Sequence, residues 1–520
     1  MQTVRSPLQE FEEFVSQGED QEALNKLAQV LTIMDRSSAA DRVAAGRTSP
    51  SAEIASPSGR VTPSVLASSA AIPSGHDIQY LVFQIFTFGP RPQGEIPPFN
   101  KTAVEKLVED MLTAVGGLRG DATTRQLGFA VGPLALDHTA DDLRTTIRQS
   151  FEIAAAKNVA VVFHIDDSMF WMNQKALWQD TQNVEWSDWA GSPIQQRIIG
   201  WAPSVKLAPP MCYTSPALRL QVGRIARDVI GKEIKAGIDT LRSYKKEHLF
   251  GGVIAGWETR LEDDRPPPKS IGYCALSHRG FSASNPPQDI DAELEKIVHD
   301  WARFWAKSLH EADIPTNRIY THFPVTTTRV HAAPWAAFND YSRPGFSVYG
   351  FTQNFSTIYQ ALAANGQVPW GNVEGTNINI SPFTMGRPMR SALSWEAYLG
   401  GSFQHGAALV NIFGWQDEHG VFGKAARSDE AIAAYKKFLR GEQLADLRVS
   451  EEEKFTPSRA EVLAAKVERI HKELPRWLQT RGRRPEVERL AKQLEHYMKE
   501  EKSAAAETVA DQILDYMHAK

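Results

Sequence analysis

The chain has 520 residues, 42% of them apolar, so it carries material for a large core and disorder throughout is excluded. Its 57 Lys and Arg are nearly balanced by 62 Asp and Glu, a net of −5, which excludes a surface built to coat nucleic acid or an anionic membrane. Two cysteines, Cys212 and Cys274, are too few for a disulfide framework or a structural zinc cluster.

The first segment, 1–35, places Phe11, Phe14, Val15, Leu24, Leu27, Val30, Leu31 and Met34 at three- and four-residue spacings broken by Gly18, the pattern of a helical hairpin. A related pattern closes the chain, where Glu495, Ala506, Gln512, Leu514 and Met517 match Glu12, Ala23, Gln29, Leu31 and Met34 at constant spacing, so the helical ends are candidates for self-association into a homo-oligomer. Residues 36–75 are rich in Ser, Ala, Pro and Gly without aromatics and read as a linker, because they bury too little to offset their ordering entropy. The opening MQTVRSPLQEFEEFVSQGED lacks the basic-then-apolar order of a signal peptide. The spacer beside a helical module favours a secreted or periplasmic protein, with cytoplasmic as the alternative.

From 76 to 445 the pattern changes to apolar runs alternating with amphipathic helices. Eight strands are predicted: Tyr80–Phe88, Leu127–Leu134, Val159–Ile165, Phe250–Trp257, Arg318–Phe323, Ser347–Phe351, Gly371–Ile378 and Ala408–Trp415. Helices are predicted between most of them, at Thr102–Val115, Ala140–Ala156, Asp291–Glu311, Ser356–Ala364 and Ser394–His405. Continuous apolar strands followed by helices imply a parallel sheet covered on its outer face, and eight such units make a closed (β/α)8 TIM barrel. The rival, a doubly wound open sheet, lacks a glycine fingerprint after the first strand, which runs into FGPRPQGEIPP. The remainder, 455–520, reads as a C-terminal helical module.

In such a barrel the reactive groups stand at the carboxyl ends of the strands. These ends carry His164, Asp166 and Asp167 after the third run, Trp257 and Glu258 after the fourth, His322 after the fifth and Tyr349 after the sixth. Glu374 and Asn377 follow the seventh, and Trp415, with Gln416 and Asp417, the eighth. The pair Glu258 and Glu374 has the chemistry that glycosidic cleavage needs: one carboxyl group protonates the departing oxygen, the other attacks or activates water at the anomeric carbon. Adjacent Asp166 and Asp167 suit sugar hydroxyls better than a hard cation, which needs more oxygen ligands nearby. A His-x-His pair after the first strand and a strand-end lysine are both absent, which demotes metal-dependent and Schiff-base barrels. Trp171, Trp178, Trp186, Trp189 and Trp201 lie between the third and fourth strands, where they either stack on sugars or pin a long loop; Trp301, Trp305 and Trp395 read as core.

These positions resemble the large clan of retaining (β/α)8-barrel glycoside hydrolases that includes the β-galactosidases and cellulases. The resemblance implies Glu258 as general acid/base, Glu374 as nucleophile and Trp415 as the aromatic after strand eight. It further implies a β-linked oligosaccharide or glycoside substrate and no cofactor or metal. One departure is plain: the clan carries Asn before the acid/base, and here Trp257 stands there. Asp166, Asp167, His164, Trp257, His322, Tyr349, Asn377 and Trp415 are the expected sugar-contacting shell. Burial beside Trp257 is expected to keep Glu258 protonated, and hydrogen bonds from Tyr349 or His322 to keep Glu374 ionised. The alternative is a catalytically inactive carbohydrate-binding or scaffold barrel.

Overall fold

In the computed structural model, the apolar runs become parallel strands that pair in sequence order and close on themselves. They are β1 (Gln79–Phe86), β2 (Arg125–Leu134), β3 (Ala160–Ile165), β4 (Phe250–Ala255), β5 (Ile319–Thr321, resuming at Phe323–Pro324), β6 (Gly345–Ser347), β7 (Trp370–Gly375) and β8 (Ala407–Ile412). The ring runs through Ile254↔Tyr320, Phe323↔Phe346 and Asn372↔Val410, and Leu81↔Val410 joins the last strand to the first. An open sheet is thereby excluded, and the fold is a (β/α)8 barrel. The structure describes residues 78–88, 96–199, 202–263, 269–324, 333–349, 352–380, 388–389, 393–445 and 447, then 466–467, 469–470, 474, 477, 485–499 and 503–518. The predicted hairpin of 1–35, the linker of 36–75 and Trp201 lie outside the described residues.

Alternation along each strand sorts the core into two layers. Tyr80, Val82, Ala130, Ala160, Val162, Ile254, Tyr320, Val373 and Leu409 face inward and fill the barrel. Leu81, Phe83, Ile85, Phe129, Val161 and Phe163 face outward and join the helical layer. Each such side chain, fully buried, contributes about 1.5–3 kcal/mol. Two residues further along five of the strands, the same inward parity brings Gln84, His164, Gly256, His322 and Asn411 to a second level. That level is polar.

The outer layer comprises α1 (Lys101–Ala114), α2 (Ala140–Lys157) and α3 (Pro216–Arg224), which passes through a π-helical stretch (Ile225–Gly231) into α4 (Lys232–Ser243). It continues with α5 (Ile290–His310), α6 (Thr352–Ala364), α7 (Trp395–Phe403) and α8 (Asp429–Leu439). Asn100, Thr139, Ser215, Asp289, Ser394 and Ser428 cap the starts of α1, α2, α3, α5, α7 and α8 with side-chain acceptors, each worth about 1 kcal/mol. Trp301, Trp305 and Trp395 are core residues as predicted.

The sixth strand sits earlier than its apolar run suggested, at Gly345–Ser347. A Cβ at Gly345 would stand 1.9 Å from the Thr321 carbonyl oxygen, so close strand approach at that position requires glycine.

Two compact units divide the chain, Ala70–Lys454 and another that includes Phe455–Lys520. In the second, α9 (Pro485–Lys499) and α10 (Ser503–His518) share a core of Leu490, Leu494, Ala506, Val509, Ala510, Ile513 and Met517. Among the described residues, no helix is long and apolar enough to cross a membrane.

Candidate active site

The polar level of the barrel is one hydrogen-bonded chain. Asn411 Nδ2 donates to Gln84 Oε1 at 2.8 Å, which lies 2.9 Å from His164 Nδ1. His164 Nε2 stands 3.1 Å from His322 Nδ1, and His322 Nε2 stands 2.8 Å from Ser347 Oγ. The run ends at Glu258, whose Oε1 is 3.5 Å from Ser347 Oγ.

Its polarity at the Asn411 end follows from one backbone group. Asn411 Nδ2 also donates to the Val373 carbonyl at 2.8 Å, so the amide cannot be turned over without opposing two oxygens. Gln84 therefore presents its oxygen to His164 Nδ1. Beyond that point both rings face one acceptor: the Gly256 carbonyl lies 3.1 Å from His164 Nε2 and 3.2 Å from His322 Nδ1. Burial holds both imidazoles neutral: His164 titrates well below the usual value and His322 is lowered to about 4. Ser347 Oγ stands between His322 Nε2 and Glu258 Oε1, and its hydroxyl is within reach of both as a donor.

Glu258 sits on a turn after β4 with φ of 48°, the left-handed region that non-glycine residues avoid. Gly256, at φ of 125°, starts the turn; a Cβ there would meet Thr259 Oγ1 at 2.6 Å. Asp167 clamps it. Its Oδ1 accepts from the Trp257 amide at 3.1 Å, and its Oδ2 from Thr259 Oγ1 at 2.9 Å and Trp301 Nε1 at 3.0 Å. The Glu258 carboxylate itself, with its side chain 19% exposed, pairs with the buried guanidinium of Arg260 at 3.1 Å. Such strain persists only where the surroundings over-determine it, as they do here, and it clusters at functional positions.

Glu374, on β7, is 3% exposed. Tyr349 Oη donates to its Oε1 at 2.6 Å, while Oε2 is buried without a partner. Burial and, next, the charge of Glu258 push its carboxyl up to about 8, against the pull of the Tyr349 hydrogen bond. The two glutamates are thus within each other's field, and Tyr349 feels both, its phenol pushed well above the ordinary value by burial and the two carboxylates. Burial and the charge of Glu258 both favour the protonated form of Glu374. The expected state is an ionised Glu374; its deep burial works against that, and the Trp257 ring expected beside Glu258 stacks on His164, with centroids 4.2 Å apart.

Several expected sugar contacts are turned elsewhere. Asp167 is fully buried in its clamp. Asp166 caps the next turn, its Oδ1 accepting from Met169 N at 2.6 Å and Phe170 N at 3.1 Å, and burial raises its carboxyl to about 7. His164 and His322 are internal to the hydrogen-bonded chain, with 0% exposure. Asn377 ties its loop to the Leu393 carbonyl at 2.8 Å.

Trp415 is 1% exposed in the helical layer against Phe83, under the Arg427 guanidinium at 4.1 Å. Gly414, at φ of 94°, turns the chain outward just before it. In its place Phe413 stands near Tyr349 and Phe86, with ring centroids 6.2 and 5.3 Å away, and Phe86 adjoins Trp257 at 5.7 Å. Of the loop tryptophans, Trp171 is fully buried with Nε1 on the Pro209 carbonyl, and Trp178, Trp186 and Trp189 pack on the core, so they pin the loop.

Sequence reasoning passed over Gln84, Ser347, Arg260, Phe86, Phe413 and Asn411. For Gln84 and Asn411 the signal was present: each is a lone amide at an inward position of an otherwise apolar strand.

No protein-family model matches the chain, and no curated protein matches it. Among solved structures it is similar to the catalytic domain of a β-amylase from Paenibacillus polymyxa, at TM-score 0.41 and 9% identity, covering 71% of this chain and 99% of that one. It is also similar to an endogalactoceramidase, at TM-score 0.32 and 10% identity over 65% and 70% of the two chains. A chitobiase from Flavobacterium johnsoniae follows at TM-score 0.31 and 10% identity, over 72% and 50%. All three are too distant to bear on what the site does.

Proposed function

We propose that this chain is a glycoside hydrolase that cleaves a β-linked glycosidic bond with retention, using Glu258 and Glu374 as its reactive pair. The observation that carries the reading is the unequal pair itself. Two carboxyl groups from the ends of β4 and β7 act on each other's charge; one is partly exposed and paired with Arg260, the other is buried and pushed toward its protonated form. One shared proton is what acid-assisted displacement at an anomeric carbon needs.

Glu258 is the acid/base and Glu374 the nucleophile in this reading, and the proton resident on Glu374 moves to Glu258 as substrate binds. One feature favours that transfer. Positive charge developing at the anomeric carbon stabilises an ionised Glu374, which Tyr349 already serves as donor. In the first step the glycosidic C–O bond breaks, Glu258 gives its proton to the leaving oxygen, and Glu374 bonds the anomeric carbon. In the second, Glu258 takes a proton from water as its oxygen displaces Glu374. Phe86, Trp257 and Phe413 supply aromatic faces for a pyranose.

The test is turnover of activated aryl glycosides by Glu258→Ala and Glu374→Ala in the presence of azide. Glu258→Ala is expected to yield a glycosyl azide of retained configuration, and Glu374→Ala one of inverted configuration. Normal turnover by both variants sinks the pair, and exchanged stereochemistry sinks the assignment of roles. A wild-type protein that binds oligosaccharides and cleaves none is an inactive binding barrel.

A further inference from the structure

The two cysteines of the chain come together at a place the hydrolytic reading does not use. Cys212 lies in the β3–β4 connection. Cys274 lies in a short helix (Tyr273–His278) of the β4–β5 connection, with His278 four residues on and on the same helical face. Ligand atoms of Cys212, Cys274 and His278 all lie within 4.8 Å of one another, and Cys212 Sγ is 3.6 Å from His278 Nδ1. Around a tetrahedral zinc ion, with Zn–S of about 2.3 Å and Zn–N of about 2.0 Å, neighbouring ligand atoms fall at roughly 3.5–3.8 Å.

The surroundings complete the donor set. His278 Nε2 stands 3.2 Å from Gln182 Oε1 and 4.0 Å from Cys274 Sγ; with the ring hydrogen on Nε2, Nδ1 is left to accept, with Thr214 Oγ1 at 3.3 Å and Cys212 Sγ beside it. Glu185 is fully buried beside them: its Oε2 accepts from the Cys274 amide at 3.2 Å, and its Oε1 is buried with no partner. An orphaned carboxylate oxygen next to buried thiols is costly, and a cation relieves it.

We propose that Cys212, Cys274 and His278 bind one zinc ion, with a water in the fourth position that donates to Glu185 Oε1. Two thiolates and an imidazole select a borderline metal over magnesium or calcium. Binding displaces two thiol protons to solvent and changes no oxidation state. The ion would bridge the tryptophan-bearing β3–β4 connection and the loop beyond Glu258, which already meet through Trp189 against Tyr273 at 5.0 Å.

The experiment measures metal by plasma mass spectrometry on full-length protein purified without chelator or reductant, then replaces zinc with cobalt(II). About one zinc per chain and a sulfur-to-cobalt charge-transfer band are expected. The band is lost in Cys212→Ser and Cys274→Ser and shifted in His278→Ala. Metal-free folded wild type, a cobalt complex without that band, or a Cys212–Cys274 disulfide in non-reducing mass spectrometry overturns the proposal. Should the serine variants fail to fold, titration of wild type with an organomercurial decides, since zinc must be released in step with thiol modification.

Discussion

Tyr349 donates a 2.6 Å hydrogen bond to Glu374 from the neighbouring strand end, and it is the described donor that draws this buried carboxyl toward ionisation. Loss of the shared proton removes the acid, so kcat/KM is expected to fall as pH rises through about 8. Tyr349→Phe removes a bond to the charged form, so Glu374 is pushed further up and the alkaline limb moves to higher pH. An unmoved limb in the pH–rate profile rules out Glu374 as the group that titrates there.

The same carboxyl links folding to pH. Its folded value of about 8 stands above the ordinary 4.5, so its contribution is fully present below the ordinary value and is lost as pH rises through about 8. Glu374→Gln abolishes that dependence. Calorimetry is expected to show the variant melting above the wild type at pH 9 and with a shallower decline from pH 5. Some decline persists, since Asp166 is raised to about 7 and acts in the same direction.

Asp167 is a positioning residue. Asp167→Ala leaves the Trp257 amide, Thr259 Oγ1 and Trp301 Nε1 without their acceptor, and a loss of about 3 kcal/mol is expected from such orphaned buried donors. Denaturant titration gives that figure. Because the clamp sets the turn under Glu258, kcat should drop further in Asp167→Ala than in an equally destabilised core variant such as Leu127→Ala; equal losses would make the clamp purely structural.

Gln84→Met tests the hydrogen-bonded chain from its far end. Both Asn411 and His164 lose their acceptor, which loosens the buried chain that runs through His322 to Ser347. A fall in kcat of about tenfold or more with little change in KM is expected, the signature of misplacement around the reacting groups. A raised KM at unchanged kcat would place Gln84 in substrate binding instead.

Much of the architecture was legible because apolar runs of strand length report burial on both faces, and eight of them with intervening helices admit few topologies. β6 was misplaced because its position depends on Gly345, whose small size matters only once Thr321 lies against it. At the site, counting strands located Glu258 and Glu374 but could not say which acids face inward. Asp167 and Glu258 both follow strand ends, yet one is closed over by Trp301 from α5, a contact between distant segments that no local pattern announces. Trp415 failed for a nearer reason, the left-handed Gly414 that turns it outward.

The left-handed backbone at Glu258 has an uncomfortable corollary for anyone improving this protein. Glycine tolerates that conformation freely, so Glu258→Gly relieves about 1 kcal/mol of backbone strain, while the loss of the carboxylate beside the buried Arg260 guanidinium opposes that gain. A laboratory evolution campaign scored on heat survival alone would weigh only those two effects and ignore the proposed acid group, so selection would have to include turnover from the first round.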